Sequence, residues 1–191
     1  MPLRRSIFPS PHLTANPTRT DMTLRTNTLL DGRKERLERI LDRPLEDPDF
    51  EADTVLSDRV RGFLLEEAQD LYWNELEWEN ITDEEALEGE PLTELAFPGF
   101  LAFVRGLLLT EVMPDAQAPA RPRPQVVRDI LRFLADRVVS LQEEADDPRD
   151  GEEAQTALDM TSRLVDLVLY QYYQLSRADV EVVEADRRTS G

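Results

Sequence analysis

The sequence predicts an all-α protein, a single bundle of four to six helices behind a disordered N-terminal tail. Three observations lead there. Apolar residues recur at three- and four-residue spacing in several separate stretches, which is the period of a helix with one buried face. The connections between those stretches are short or punctuated by proline. No convincing sheet is visible, and 191 residues suffice for one domain with a proper core.

The first stretch, MPLRRSIFPSPHLTANPTRTD (Met1 to Asp21), stands apart. It holds four prolines, three arginines and one acid, so it is basic where the rest is acidic, and its prolines deny it a long helix. A disordered tail is expected over residues 1–21, with Met22 as the natural start of the chain. Residues 22–180 are expected to form the bundle, and 181–191 a frayed tail.

Leu37, Ile40 and Leu41 give RKERLERILD (Arg33 to Asp42) a helical spacing, which Pro44 ends. A second helix is expected from near Asp53 or Thr54, with Val60, Leu64, Ala68, Leu71 and Tyr72 inward and Leu56 and Phe63 on the flank. Thr82 and Glu85 have the spacing of a capping box in the following loop, and Gly89 and Pro91 close that short turn. Phe97 to Met113 is apolar almost all round, as expected of a central helix. After a proline-rich linker, Gln125 to Glu144 carries Val127, Ile130, Leu131, Leu134, Val138 and Leu141 on one face. Arg128, Asp129, Arg132 and Asp136 lie opposite. A long last helix is expected from Glu152 to Arg177, and VEVVEADRRTSG could add a short strand before fraying.

Composition narrows the chemistry. Forty acids against 22 basic residues give a formal charge of -18, which repels phosphate backbones and anionic membrane surfaces. Lys34 is the only lysine. Abundant acid with arginine in place of lysine fits a high-GC genome, and it fits halophilic adaptation, because about 1 M salt shrinks the Debye length to about 3 Å. There is no cysteine, so thiol catalysis, disulfides and Cys-ligated metals are excluded. The only histidine, His12, lies in the tail, which removes histidine triads and di-iron Glu-x-x-His pairs. The longest apolar run, Phe100 to Met113, is short of a membrane span and is interrupted by Arg105 and Glu111. A cytoplasmic protein is expected. DDPRDGEEAQTA (Asp146 to Ala157) follows the count of a calcium loop at positions one, five and six. It fails where Pro148 and Ala157 replace ligands, so a plain connection is expected.

The stretch FLLEEAQDLYWNELEWEN (Phe63 to Asn80) carries the most chemistry. Glu66, Asp70 and Glu77 fall opposite the apolar stripe with Trp73 beside them, whereas Glu67 falls near the middle of the stripe and Glu75 near its edge. An unpaired buried carboxylate is costly, so Glu67 is expected to pair with Arg105 in a buried ion pair. Trp73, Trp78, Tyr170, Tyr172 and Tyr173 are large aromatics amid charge and are expected to form a docking surface. The function expected is therefore non-enzymatic: protein–protein interaction or regulation through a protein partner or self-association, with no cofactor, direct nucleic-acid contact or membrane contact.

Three alternatives remain open. Glu66, Glu67 and Asp70, followed by Glu85 and Glu88, resemble the paired acidic blocks of the all-α nucleotide pyrophosphohydrolases, E-E-x-x-E and then E-x-x-D. That resemblance implies Mg²⁺ held by these five carboxylates. It spans about two dozen residues, with Asp for Glu in the first block and Glu for Asp in the second. A DNA mimic would need carboxylates in rows spaced like phosphates. A helical ligand-binding domain would need an apolar pocket among Phe100, Phe103, Tyr170 and Tyr173.

Overall fold

The computed structural model describes residues 19–47, 57–77, 94, 96–108, 124–146 and 151–190. Among them are six helices and no strand: α1 (Arg19–Leu41), α2 (Asp58–Leu76), α3 (Pro98–Leu108), α4 (Pro124–Ala145), α5 (Gly151–Tyr172) and α6 (Arg177–Ser190). The all-α reading holds. None of these helices is long and apolar enough to cross a membrane. Residues 1–18, Leu56, Trp78, the Thr82–Glu85 capping pair, Glu88 and the proline-rich linker lie outside the described residues.

The antiparallel pair α4–α5 forms the most extensive packing, and the other helices are arranged about it. Every apolar position assigned to the inner face of α4 is buried. The polar side of α4 does more than face water. Asp136 accepts a hydrogen bond from Thr26 of α1, and Asp129 accepts from Nε and Nη2 of Arg61 on α2 at 3.2 and 2.6 Å. At the end of α4, Glu143 pairs with Arg25, so α1 runs antiparallel to it. These acids locate the neighbouring helices on α4.

Four expectations are corrected. First, α1 begins at Arg19, so Arg19, Thr20 and Asp21 are helical instead of part of a tail, and α1 extends far N-terminal of Arg33. Its last turn closes on Asp42 at φ 51°, with Arg43 N–H donating to Glu38 O at 3.1 Å, and Pro44 follows. Second, α3 is amphipathic. Phe100, Leu101, Val104 and Leu107 are buried while Ala102, Arg105 and Gly106 face out, and the central helix is α5, with buried residues on most of its circumference.

Third, the long last helix ends at Tyr172, short of Arg177, where a separate helix begins. Gln174 adopts φ 51°, Leu175 N–H reaches Tyr170 O at 2.9 Å and Gln174 N–H reaches Gln171 O at 3.1 Å, which ends α5 in a Schellman motif. Ser176 and Asp179 then exchange hydrogen bonds, Ser176 N–H to Asp179 Oδ2 at 3.0 Å and Asp179 N–H to Ser176 Oγ at 3.2 Å. This is a reciprocal cap with Asp in the place of Glu, and it starts α6. The Ser176 hydroxyl, donating to Asp179 Oδ2 at 2.8 Å, together with Ser176 N–H and Arg43, holds the Asp179 carboxyl below its ordinary range. Fourth, residues 181–190 are helix, not strand or frayed tail. Val180 and Val183, three apart, pack on the core, whereas strand alternation would have turned them to opposite faces. Antiparallel packing on α1 brings Arg43 to Asp179 and Arg36 to Asp186.

Candidate functional site

Ser57 caps the start of α2, its hydroxyl accepting from Val60 N–H at 3.4 Å. The stripe read from sequence faces inward: Ala68 and Tyr72 are fully buried, with Val60, Leu64 and Leu71 partly buried beside them. Tyr72 stacks on Phe97 at 5.7 Å and meets Phe100 and Phe133 edge-on. Its hydroxyl lies 2.8 Å from that of buried Thr161, so the polar end of the ring is satisfied.

With this face fixed inward, the opposite one is fixed outward. Phe63, Glu66, Asp70, Trp73 and Glu77 are all exposed and fall within an arc of about 80°. Phe63 is 57% exposed and Trp73 37%. Trp73 rests its inner side on Tyr72 at 5.0 Å and on the guanidinium of Arg137 at 5.1 Å, leaving its outer edge in solvent. Elsewhere in the fold Arg25, Arg33, Arg43, Arg61 and Arg163 each pair with an acid on a different helix. Among the described residues, none of Glu66, Glu67, Asp70 and Glu77 makes such a pair. Phe63 and Trp73 thus bracket Glu66 and Asp70, which make no interhelix ion pair among the described residues.

The buried Glu67–Arg105 pair is not found. Both side chains are exposed and no ion pair joins them. The stripe of α2 is narrower than its sequence suggests, because Ala68 and Tyr72 take the contact and Glu67 stays at the rim. Glu75 is the carboxylate with an inward task. Its Oε1 accepts from Gly99 N–H at 2.7 Å and its Oε2 from Phe100 N–H at 3.0 Å, so it caps α3 from another helix. Gly99 permits this approach, since a Cβ there would lie 2.6 Å from Glu75 Oε1.

The tyrosines are also reassigned. Tyr170 and Tyr172 are buried, and Tyr173 is half-buried, so they form no common exposed surface. Each has an internal partner: Tyr170 O–H donates to Glu184 at 2.9 Å, Tyr172 Oη accepts from Arg128 Nε at 2.7 Å, and Lys34 sits 5.5 Å from the Tyr173 ring. Burial, then the carboxylates of Asp166 and Glu184, pushes the Tyr170 phenol far above its usual range. Burial and Asp47 do the same for Tyr173. Three tyrosines point three ways because α5 is surrounded on most sides.

Of the residues carrying the resemblance to pyrophosphohydrolases, Glu66, Glu67 and Asp70 lie exposed on α2, and Glu85 and Glu88 fall outside the described residues. Among the described residues, no three His, Cys, Asp or Glu side chains gather at a point that could hold a metal ion. Phe100 is fully buried in the core, while Tyr170 and Tyr173 line two different clefts, so the four aromatics do not surround one pocket. Trp78 also lies outside the described residues. No protein-family model, curated protein or solved structure matches the chain.

Proposed function

We propose that this chain is a non-catalytic binding module, acting through protein–protein contacts at the outer face of α2. The observation that carries the reading is the row Phe63, Glu66, Asp70, Trp73 and Glu77, exposed together, aromatic at two points and acidic between them with no interhelix ion pair among the described residues. Aromatic anchors supply most of the binding energy at protein interfaces, and complementary charge steers the encounter and selects the partner. The partner that fits is a basic segment with one or two large apolar side chains. A second copy fits less well, since each chain brings a formal charge of -18 and like charges oppose association unless salt screens them.

The test is a photoreactive residue placed at Phe63 in the full chain and cross-linked in its native cell extract. The same residue at Glu181, an exposed position on α6, serves as control. The expected result is one polypeptide adduct from Phe63, absent from Glu181 and lost when Glu66 and Asp70 are replaced by lysine. No adduct, or the same adducts from both positions, refutes the reading.

A further inference from the structure

Away from α2, three arginines of this acidic chain come together in one place. A cleft of about 320 Å³ opens between α1, α5 and α6, lined by Arg33, Arg36, Arg187, Asp166, Ser162 and Tyr170. Three guanidiniums there meet a single carboxylate at the lining. Asp166 is shared between Arg33, which it contacts closely, and Arg187, at 3.8 Å. Arg36 lies 3.9 Å from Asp186, and its side chain is 52% exposed. The neighbouring Glu184 is engaged chiefly by Arg163 and by the Tyr170 hydroxyl, with a weaker attraction to Arg187.

We propose that this cleft binds a small organic phosphate monoester. The charge supports the assignment, because three guanidiniums against Asp166 at the lining and Asp186 at its rim leave a net positive charge to face a group that carries about −1.5 to −2 at neutral pH. The donor geometry supports it as well, since planar guanidiniums bind tetrahedral oxyanions through paired N–H groups. Ser162 accepts from Arg33 Nη2, which leaves its own O–H to donate. Leu37 and Val183 supply an apolar wall for the organic part. A second cleft, around Lys34 and Tyr173, has a similar balance of charge but each of its cations already has an acid beside it, Arg132 lying 3.8 Å from Asp129. Its basic groups Lys34, Arg128 and Arg132 face two acids, Asp31 and Asp47, and Asp47 already binds Lys34 at 3.9 Å and Arg128 at 3.0 Å.

Isothermal titration of the full chain with phenyl phosphate tests the proposal, with inorganic phosphate, benzoate and phenol as comparison probes at fixed ionic strength. Saturable one-to-one binding is expected, strengthening from about pH 5 to about pH 7.5 as the second phosphate proton leaves near pH 6. Inorganic phosphate, benzoate and phenol should each bind more weakly. Arg36→Glu should weaken phenyl phosphate by about tenfold or more, and Arg36→Gln by less. Arg132→Glu, in the second cleft, should leave it unchanged. Circular dichroism verifies that each variant is folded; Arg33 is avoided because it ties α1 to α5. Absence of saturation, indifference to both Arg36 variants, or equal weakening by Arg132→Glu overturns the site. Benzoate or inorganic phosphate binding as tightly as phenyl phosphate overturns the ligand class.

Discussion

Glu75→Ala tests the cap that joins α2 to α3. At the start of α3, Pro98 has no N–H to satisfy, and Leu101 N–H already reaches Phe97 O at 3.0 Å. The N–H groups between them, Gly99 and Phe100, both end on the Glu75 carboxylate. Phe97, at the cap position, has no side-chain acceptor to replace it. A hydrogen bond to a charged group contributes about 1.5–3 kcal/mol when well shielded, and Glu75 is only partly buried, so about 1 kcal/mol for each bond is the appropriate scale. The loss expected is therefore about 2 kcal/mol, or roughly 4–8 °C in Tm for a domain of this size. Urea unfolding followed by circular dichroism measures it, with Glu66→Ala as an exposed control on the same helix. Gly99→Ala sharpens the test. In the native background the new Cβ, 2.6 Å from Oε1, displaces the carboxylate, and a cost of about 1 kcal/mol remains after the gain in helix propensity. In the Glu75→Ala background the obstruction is gone, the next neighbour being Leu71 Cδ2 at 3.7 Å, so the same change should be neutral or stabilising. Equal effects of Gly99→Ala in both backgrounds, or a Glu75→Ala loss within about 0.5 kcal/mol of the control, would falsify the cap.

Other consequences follow from the polar groups inside the bundle. Tyr72→Phe leaves the buried Thr161 hydroxyl without its partner and should cost about 1–2 kcal/mol, part of which Thr161→Val added to it should restore; additive losses in a double-mutant cycle would contradict the pairing. Glu184→Gln should cost about 2 kcal/mol at neutral pH, because it leaves the Arg163 guanidinium, 10% exposed, without its counter-charge. Burial pushes the Glu184 carboxyl up, but Arg163 and the Tyr170 hydroxyl outweigh it and hold the value below normal. Stability from this lowered carboxyl is present above the unfolded value of about 4.3 and is lost as pH falls through the folded one. The gap between native and variant should accordingly narrow below about pH 4, and a gap constant from neutral to acid pH would contradict the assignment. The raised phenols of Tyr170 and Tyr173 work in the opposite direction. Their contribution is intact below the unfolded value of about 10 and is lost as pH rises toward the folded values. Tyrosinate absorbance from these two should therefore appear with alkaline unfolding, and its appearance in the folded protein near pH 10 would be the contrary result.

The capping residues show how far sequence reaches. Ser176 and Asp179 stand three apart, and Gln174 precedes them where α5 must end, so the break between α5 and α6 is written locally in S-R-A-D. Apolar periodicity alone hides it, because the stripe of α5 runs on to Leu175 and the VEVV beyond reads as a strand. The same locality made the inner faces of α2 and α4 legible, since a helix that buries one stripe must repeat it every three or four residues. Glu66, Asp70, Trp73 and Glu77 of the candidate docking row followed from that periodicity, because whatever lies opposite a buried stripe faces out. Phe63, expected on the flank of the stripe, is placed outside by the structure. The all-α class and the excluded thiol and histidine chemistries were likewise settled by residue types and spacing alone.

What tertiary structure decided is which of several similar charged residues has a partner. Glu67 and Glu75 look alike in sequence, one nearer the stripe than the other. Only the position of α3, whose cap lies 24 residues further along the chain, makes Glu75 the inward-acting carboxylate and leaves Glu67 at the surface. Tyr170, Tyr172 and Tyr173 are contiguous or nearly so, yet three different neighbours claim them, because a helix turns successive side chains by about 100° and α5 is enclosed. The arginine-lined cleft draws Arg33 and Arg36 from α1 and Arg187 from α6, across more than half the chain. Periodicity records which side of a helix avoids water. It does not record which other helix arrives there, and the pairing of charges waits on that.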